Sequence, residues 1–264
     1  MMRTLRAELL KVRRRSMVLA AGSAAVVYAA VTTLVTFLTA SEGPRAFGAR
    51  GFDATFQTLA RPDGAFQGFA DGVGFVGVIL LAIFVSIVGL EYTRGTFATA
   101  LMKQPRRLRL LLGKLAALLI FVAATLAVAE VAAWLLALGL ASIRGISTSE
   151  WFSLSALGDA TAAYGTALFV AGAWACIGLA VAILTRSVPI GLAVAVGWAG
   201  PIEHITQQAW TEASRWFPGL LLEAFASGGN DQVSLGRALV MVAAFVTVLT
   251  TAALVVFNRR DVTT

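Results

Sequence analysis

Charge is scarce in this sequence. Only 13% of its 264 residues are Asp, Glu, Lys or Arg and 58% are hydrophobic, whereas a soluble domain carries roughly one quarter charged residues. That balance excludes a water-soluble fold and makes the bilayer the expected solvent. Cysteine is almost absent. Cys176 stands alone inside an apolar run, so it has no partner for a disulfide or thiolate cluster and reads as a small buried hydrophobe. Histidine is limited to His204, and because zinc takes three or four His, Cys or carboxylate ligands at recognisable spacing, no structural metal is expected. Neither Gly-x-Ser-x-Gly nor His-Glu-x-x-His occurs, which removes the usual hydrolytic constellations of an enzyme. The net charge of +7 would suggest a nucleic-acid partner in a soluble protein. In a membrane protein the placement of basic residues carries the meaning instead, and no nucleic acid is expected.

Two apparent nucleotide motifs dissolve on inspection. Gly72-Val73-Gly74-Phe75-Val76-Gly77 matches G-x-G-x-x-G, but that pattern has meaning after a buried strand, and here it opens an apolar span. Glycines that let helices approach closely explain it better. Gly113-Lys114 is followed by Leu115 where a phosphate loop needs Ser or Thr, and Leu108 occupies the first glycine position. No cofactor is expected in this chain.

What the sequence has in abundance is long apolar runs. A hydrocarbon core of about 30 Å needs about 20 residues of helix. Applied along the chain, this predicts an all-α integral membrane protein, a single transmembrane domain over 1–264. Its spans fall at about 17–38, 73–90, 110–140, 160–184, 190–200 and 235–257. The first run exceeds the 7–15 residues of a signal sequence, so an uncleaved span is expected. The fifth run breaks at Gly200-Pro201, and residues 201–225 are read as a re-entrant outer hairpin. With the N-terminus inside, Arg3, Arg6, Lys11, Arg13, Arg14, Arg15, Arg94, Lys103, Arg106, Arg107, Arg109, Lys114, Arg186, Arg259 and Arg260 are all cytoplasmic, most of the 21 basic residues. Most acids fall on the other face. This predicts cytoplasmic N- and C-termini.

Three features invite a functional reading. Over residues 3–16, Leu5, Leu9 and Val12 share one helical face among basic side chains, as in a helix lying on an anionic inner leaflet; the alternative is a solvated basic tail. Between spans two and three, Thr96 can cap a short helix whose Phe97 and Leu101 lie four apart, and Pro105 stops it. That apolar face either packs on the chain's own helices or docks in a groove of a soluble partner. Glu130, inside the third span with Trp134 one turn on, is a costly group at that depth. It serves either a substrate path or proton transfer, or else the packing of helices. Outer segments carry Phe47, Phe52, Phe56, Phe66, Phe69, Trp151, Phe152, Trp210, Trp216 and Phe217, consistent with an aromatic path for amphipathic molecules or with an ordinary interfacial belt.

The segment Glu91-Tyr92, Arg94-Gly95-Thr96, Pro105-Arg106-Arg107 and Leu111-Leu112-Gly113-Lys114 resembles permease subunits of type-2 ABC exporters, among them antibiotic-resistance, lantibiotic-immunity and related actinobacterial permeases. The opening Glu8-Leu9-Leu10-Lys11 and the tail Phe257-Asn258-Arg259-Arg260-Asp261-Val262 are similar to the family's two ends. The resemblance implies an N-terminal elbow helix carrying Leu5, Leu9 and Val12. It also implies a coupling helix, with Glu91, Arg94, Gly95, Thr96, Phe97, Leu101, Pro105, Arg106 and Arg107, that seats in an ATPase subunit. It implies two ATPase copies binding ATP and Mg, a second copy of this permease or a paralogue, and a place in the bacterial plasma membrane. Glu130 and Trp134 would lie on the substrate path. Two rival classes are a gradient-driven transporter or channel, which would carry several intramembrane charges or repeated halves, and a non-transporting membrane anchor subunit.

Overall fold

The computed structural model describes residues 2–42, 54–103 and 106–259. Every extended element among them is helical: α1 (Met2–Val12), α2 (Arg15–Thr39), α3 (Phe56–Leu59), α4 (Gln67–Thr93), α5 (Thr96–Lys103), α6 (Arg107–Arg144), α7 (Leu154–Thr185), α8 (Val188–Gly197), α9 (Glu203–Ala209), α10 (Pro218–Ala226) and α11 (Leu235–Arg259). Six stretches are long and apolar enough to cross a bilayer: Arg15–Thr39, Val76–Thr93, Arg107–Arg144, Leu154–Thr185, Val188–Ala209 and Leu235–Arg259. Their large apolar side chains turn outward, Leu19, Val27, Leu135 and Val248 each being more than half exposed, as lipid-facing helices require. The all-α membrane fold read from composition is the fold observed.

Two compact units divide the chain, one of Met1–Val12, Gly74–Phe121 and Val170–Thr264, the other of Arg13–Val73 and Val122–Phe169. In the second unit, Phe37, Leu59, Ala137, Ala141 and Trp151 form the core. Trp151 donates its indole N–H to the Leu59 carbonyl at 2.9 Å. Arg144, at the end of α6, donates to the carbonyls of Phe37, Leu38 and Ala40, satisfying the acceptors that α2 leaves open at its C-terminus. Thr55 and Thr58 start α3 with a reciprocal capping box, each hydroxyl accepting the other residue's amide. A Cβ on Gly68 would lie 2.8 Å from the Thr33 Cα and one on Gly72 2.5 Å from the Thr32 side chain. Gly72, the first glycine of the G-x-G-x-x-G run, therefore serves helix packing.

In the first unit, Val88, Phe97, Leu110, Leu111, Leu179, Ile183, Ala253 and Phe257 are buried together. Gly77, the last glycine of the same run, has the Trp174 indole where a Cβ would project. Arg186 closes α7 in the left-handed region at φ 53°. Pro189 then falls in the first turn of α8, where its fixed φ suits a helix start and its missing donor is not needed. The helical path does not stop at Gly200. A π-helical turn over Trp198–Ile202 absorbs Pro201 and passes the chain into α9, because a widened turn tolerates the lost proline donor.

Candidate functional site

The corner between α4 and α6 gathers the residues singled out in the sequence. Helix α4 ends because Gly95 takes φ 65°, a left-handed position that glycine adopts at no cost. Its amide donates to the Tyr92 carbonyl at 3.1 Å. The Thr96 hydroxyl, expected to cap α5, instead donates back to the Glu91 carbonyl at 3.3 Å. Phe97 is 1% exposed. It stacks on Tyr92 at 4.5 Å between centroids and meets Phe257 edge-on at 5.6 Å, with Leu101 half-buried beside the same core. Of the two occupants left open for this apolar face, the chain's own α4, α6, α7 and α11 take it. Phe97 and Leu101 are anchors of α5, and the surface left for another protein is the opposite one: Arg94, Thr96, Thr99, Met102 and Arg106 are exposed, Met102 at 79%. Pro105 lies outside the described residues, as do Phe47, Phe52 and Arg260.

Beneath this corner sits a cluster of four charges. Lys114, only 2% exposed, donates to Glu8 at 2.9 Å and to Glu91 at 2.6 Å. Lys11 donates to Glu8 at 2.7 Å and lies 3.5 Å from Glu91. A lysine so deeply buried is tolerable only when fully paired, and here two carboxylates from separate helices meet it. Burial pushes the Glu8 carboxyl up, but Lys114 and Lys11 outweigh it and hold the group below its ordinary range. For Lys11 burial works downward and the two glutamates overcome it, raising the ammonium above its ordinary value. The cluster ties α1 to the last turn of α4 and the first turns of α6. On α1, Leu5, Glu8, Leu9 and Val12 point the same way, Val12 buried and the two leucines half-buried, the 3–4 spacing of a packed helix face.

A second strap closes the corner. Arg107 donates to the backbone carbonyls of Phe257 and Asn258 and lies 5.5 Å over the Phe257 ring, while Arg186 sits 5.9 Å over Tyr92. Arginine suits both positions, since its planar fork can stack and donate at once. Of the sequence-selected residues, Glu91, Phe97, Leu101 and Arg107 are thus locked into the body. Arg94 and Arg106 face out. Glu8, Lys11 and Lys114 were not selected, although Glu-x-x-Lys and Gly-Lys were the visible signals.

Glu130 and Trp134 lie in the other unit. One carboxyl oxygen of Glu130 is buried without a hydrogen-bond partner among the described residues. Trp134 meets Phe152 edge-on at 5.9 Å and lines, with Phe66, Trp151 and Leu157, an open apolar cleft of about 380 Å³.

Comparison with known proteins gives the family of the chain. A family model described as "ABC-2 family transporter protein" matches residues 4–200, more than half of the chain and every member of the charge cluster. No curated protein and no solved structure matches. Six membrane-crossing helices and this match agree that the protein is a multi-pass transport subunit rather than a catalytic one, and the chain belongs to the ABC-2 family of ABC-transporter permeases.

Proposed function

We propose that this permease is half of the membrane part of an ATP-driven exporter. In this reading α5 is the coupling helix, and two ATPase subunits, which bind ATP and Mg, seat against its exposed side at Arg94, Thr96, Met102 and Arg106. The observation that carries the reading is how α5 is held. A lever must move its membrane helices with it, and Phe97 in the core together with Glu91 on the buried Lys114 joins α5 rigidly to α1, α4, α6 and α11. The exposed rim is what remains for a partner to push.

The same reading makes α1 the elbow helix on the inner leaflet of a bacterial plasma membrane, with cytoplasmic termini. It makes 201–225 the re-entrant outer hairpin. A second copy or a paralogue completes the path. The aromatic cleft beside Trp134, with Glu130 one turn away, favours an amphipathic or hydrophobic cargo such as an antibiotic, a lipid or an apolar peptide, in keeping with the resemblance to antibiotic-resistance and lantibiotic-immunity permeases. Co-purification tests the coupling surface: Met102→Asp should insert and fold normally yet lose its ATPase. Unchanged recovery of the ATPase with Met102→Asp combined with Arg94→Glu would place docking elsewhere.

A further inference from the structure

The segment from Trp198 to Ala226 holds a histidine and three glutamates that neither the coupling corner nor the cleft uses. His204, on α9, faces two acceptors at once. Its Nδ1 lies 2.7 Å from the Gly200 carbonyl, and its Nε2 lies 3.1 Å from Oε1 of Glu223 on α10. A carbonyl only accepts, so Nδ1 must carry a proton. The neutral ring then presents a lone pair from Nε2 to the Glu223 carboxyl, and the contact exists only if a further proton lies between them, on the imidazole or on the acid.

We propose that His204 and Glu223 hold one shared proton that clasps α9 to α10, making this hairpin tighter in acid and looser once the pair gives that proton up. Of the neighbouring charges, Glu203 feels the charge of Glu223, and the others are paired or turned to the surface. Glu203, fully buried on the same helix, accepts the Leu220 amide at 3.0 Å and so caps α10, a second tie between the two helices that Glu223→Gln leaves in place. On the short helix after α9, Glu212 and Arg215 pair with each other, and Arg215 also donates to the Gln232 carbonyl at 3.2 Å. The π-helical turn carries no charge, and Arg237 on α11 is exposed. Burial raises the Glu223 carboxyl despite His204 pulling it down. Side chains 44% and 41% exposed put the pair at the surface of the protein, where that proton can leave it.

The test is amide hydrogen exchange of peptides within 198–226, in the full-length protein in nanodiscs, across pH 4.5 to 8.5. Glu223→Gln is the key variant. Its amide donates to neutral Nε2 and its carbonyl accepts from the protonated ring, so the clasp persists without a titrating proton. Comparing both proteins at each pH cancels the intrinsic pH dependence of exchange. The proposal predicts that the parent matches Glu223→Gln in acid and exchanges about five- to tenfold faster at the alkaline end, the scale of one ordinary hydrogen bond, as suits a half-exposed pair. It also predicts that His204→Phe exchanges fast throughout. Parallel profiles for the parent and Glu223→Gln over the whole range would overturn it.

Discussion

Replacing Lys114 with methionine keeps the length and apolar stem of the side chain and removes its charge. Two charge-assisted hydrogen bonds disappear, to Glu8 and to Glu91, and both carboxylates stay where they were. Breaking a buried pair from one side costs roughly 3–5 kcal/mol. Lys11 still holds Glu8 at 2.7 Å and approaches Glu91 at 3.5 Å, and the glutamate side chains are 11% and 16% exposed. A value at or just below the foot of that range follows, about 2–3 kcal/mol. Chemical unfolding in mixed micelles measures the loss. Adding Glu8→Gln and Glu91→Gln to Lys114→Met should restore about half of it, since the orphaned charges are gone. The pH dependence is signed as well. Glu8 is depressed below its ordinary 4.5, so its contribution is full above that value and is lost as pH falls through the lowered one. Lys11 is raised above 10.5, so its contribution is present below 10.5 and fades as pH climbs past it. A Lys114→Met protein within about 0.5 kcal/mol of the parent, or a parent as stable at pH 3 as at pH 7, would show that the cluster is an ordinary solvated group of charges.

Other perturbations separate anchoring from docking. Phe97→Ala should cost about 3–4 kcal/mol in the same unfolding measurement, whereas Met102→Asp, on the exposed side of α5, should stay within about 0.5 kcal/mol and act only on ATPase recovery. Arg144→Met opens three backbone carbonyls at the end of α2 and should lower stability by about 1–3 kcal/mol, with faster proteolysis after Thr39 as the local sign. Gly72→Ala drives a methyl into Thr32 and Tyr28 and should cost about 1–3 kcal/mol; a neutral result would return the glycine run to an unassigned motif.

Much of the fold could be read before any coordinates, because span number follows from runs of apolar residues and the bilayer fixes their length. Residue spacing also exposed the shared face of Leu5, Leu9 and Val12. The charge cluster was hidden for a physical reason: Glu8, Glu91 and Lys114 are far apart in sequence, and only the packing of α1, α4 and α6 brings them within hydrogen-bonding distance. Lys114 even stood inside a dipeptide examined for phosphate binding. Phe97 shows the same limit, since a short amphipathic helix declares that its face must be buried and not by what. Near Pro201 local chemistry misled, because a proline that would end an α-helix is accommodated by a π-helical turn. Glu203 and Glu223 counted only among the acids of the outer face and His204 only as a lone histidine without a metal site, and their convergence depends on α10 folding back along α9.

The most direct measurement of the central claim is purification of the chain from its native host in mild detergent, with mass spectrometry of the intact complex. The account predicts two membrane chains with two P-loop ATPase subunits, and their loss when Met102 and Arg94 on the exposed side of α5 are changed to acidic residues. A stable complex without an ATPase, or one indifferent to those changes, would contradict it.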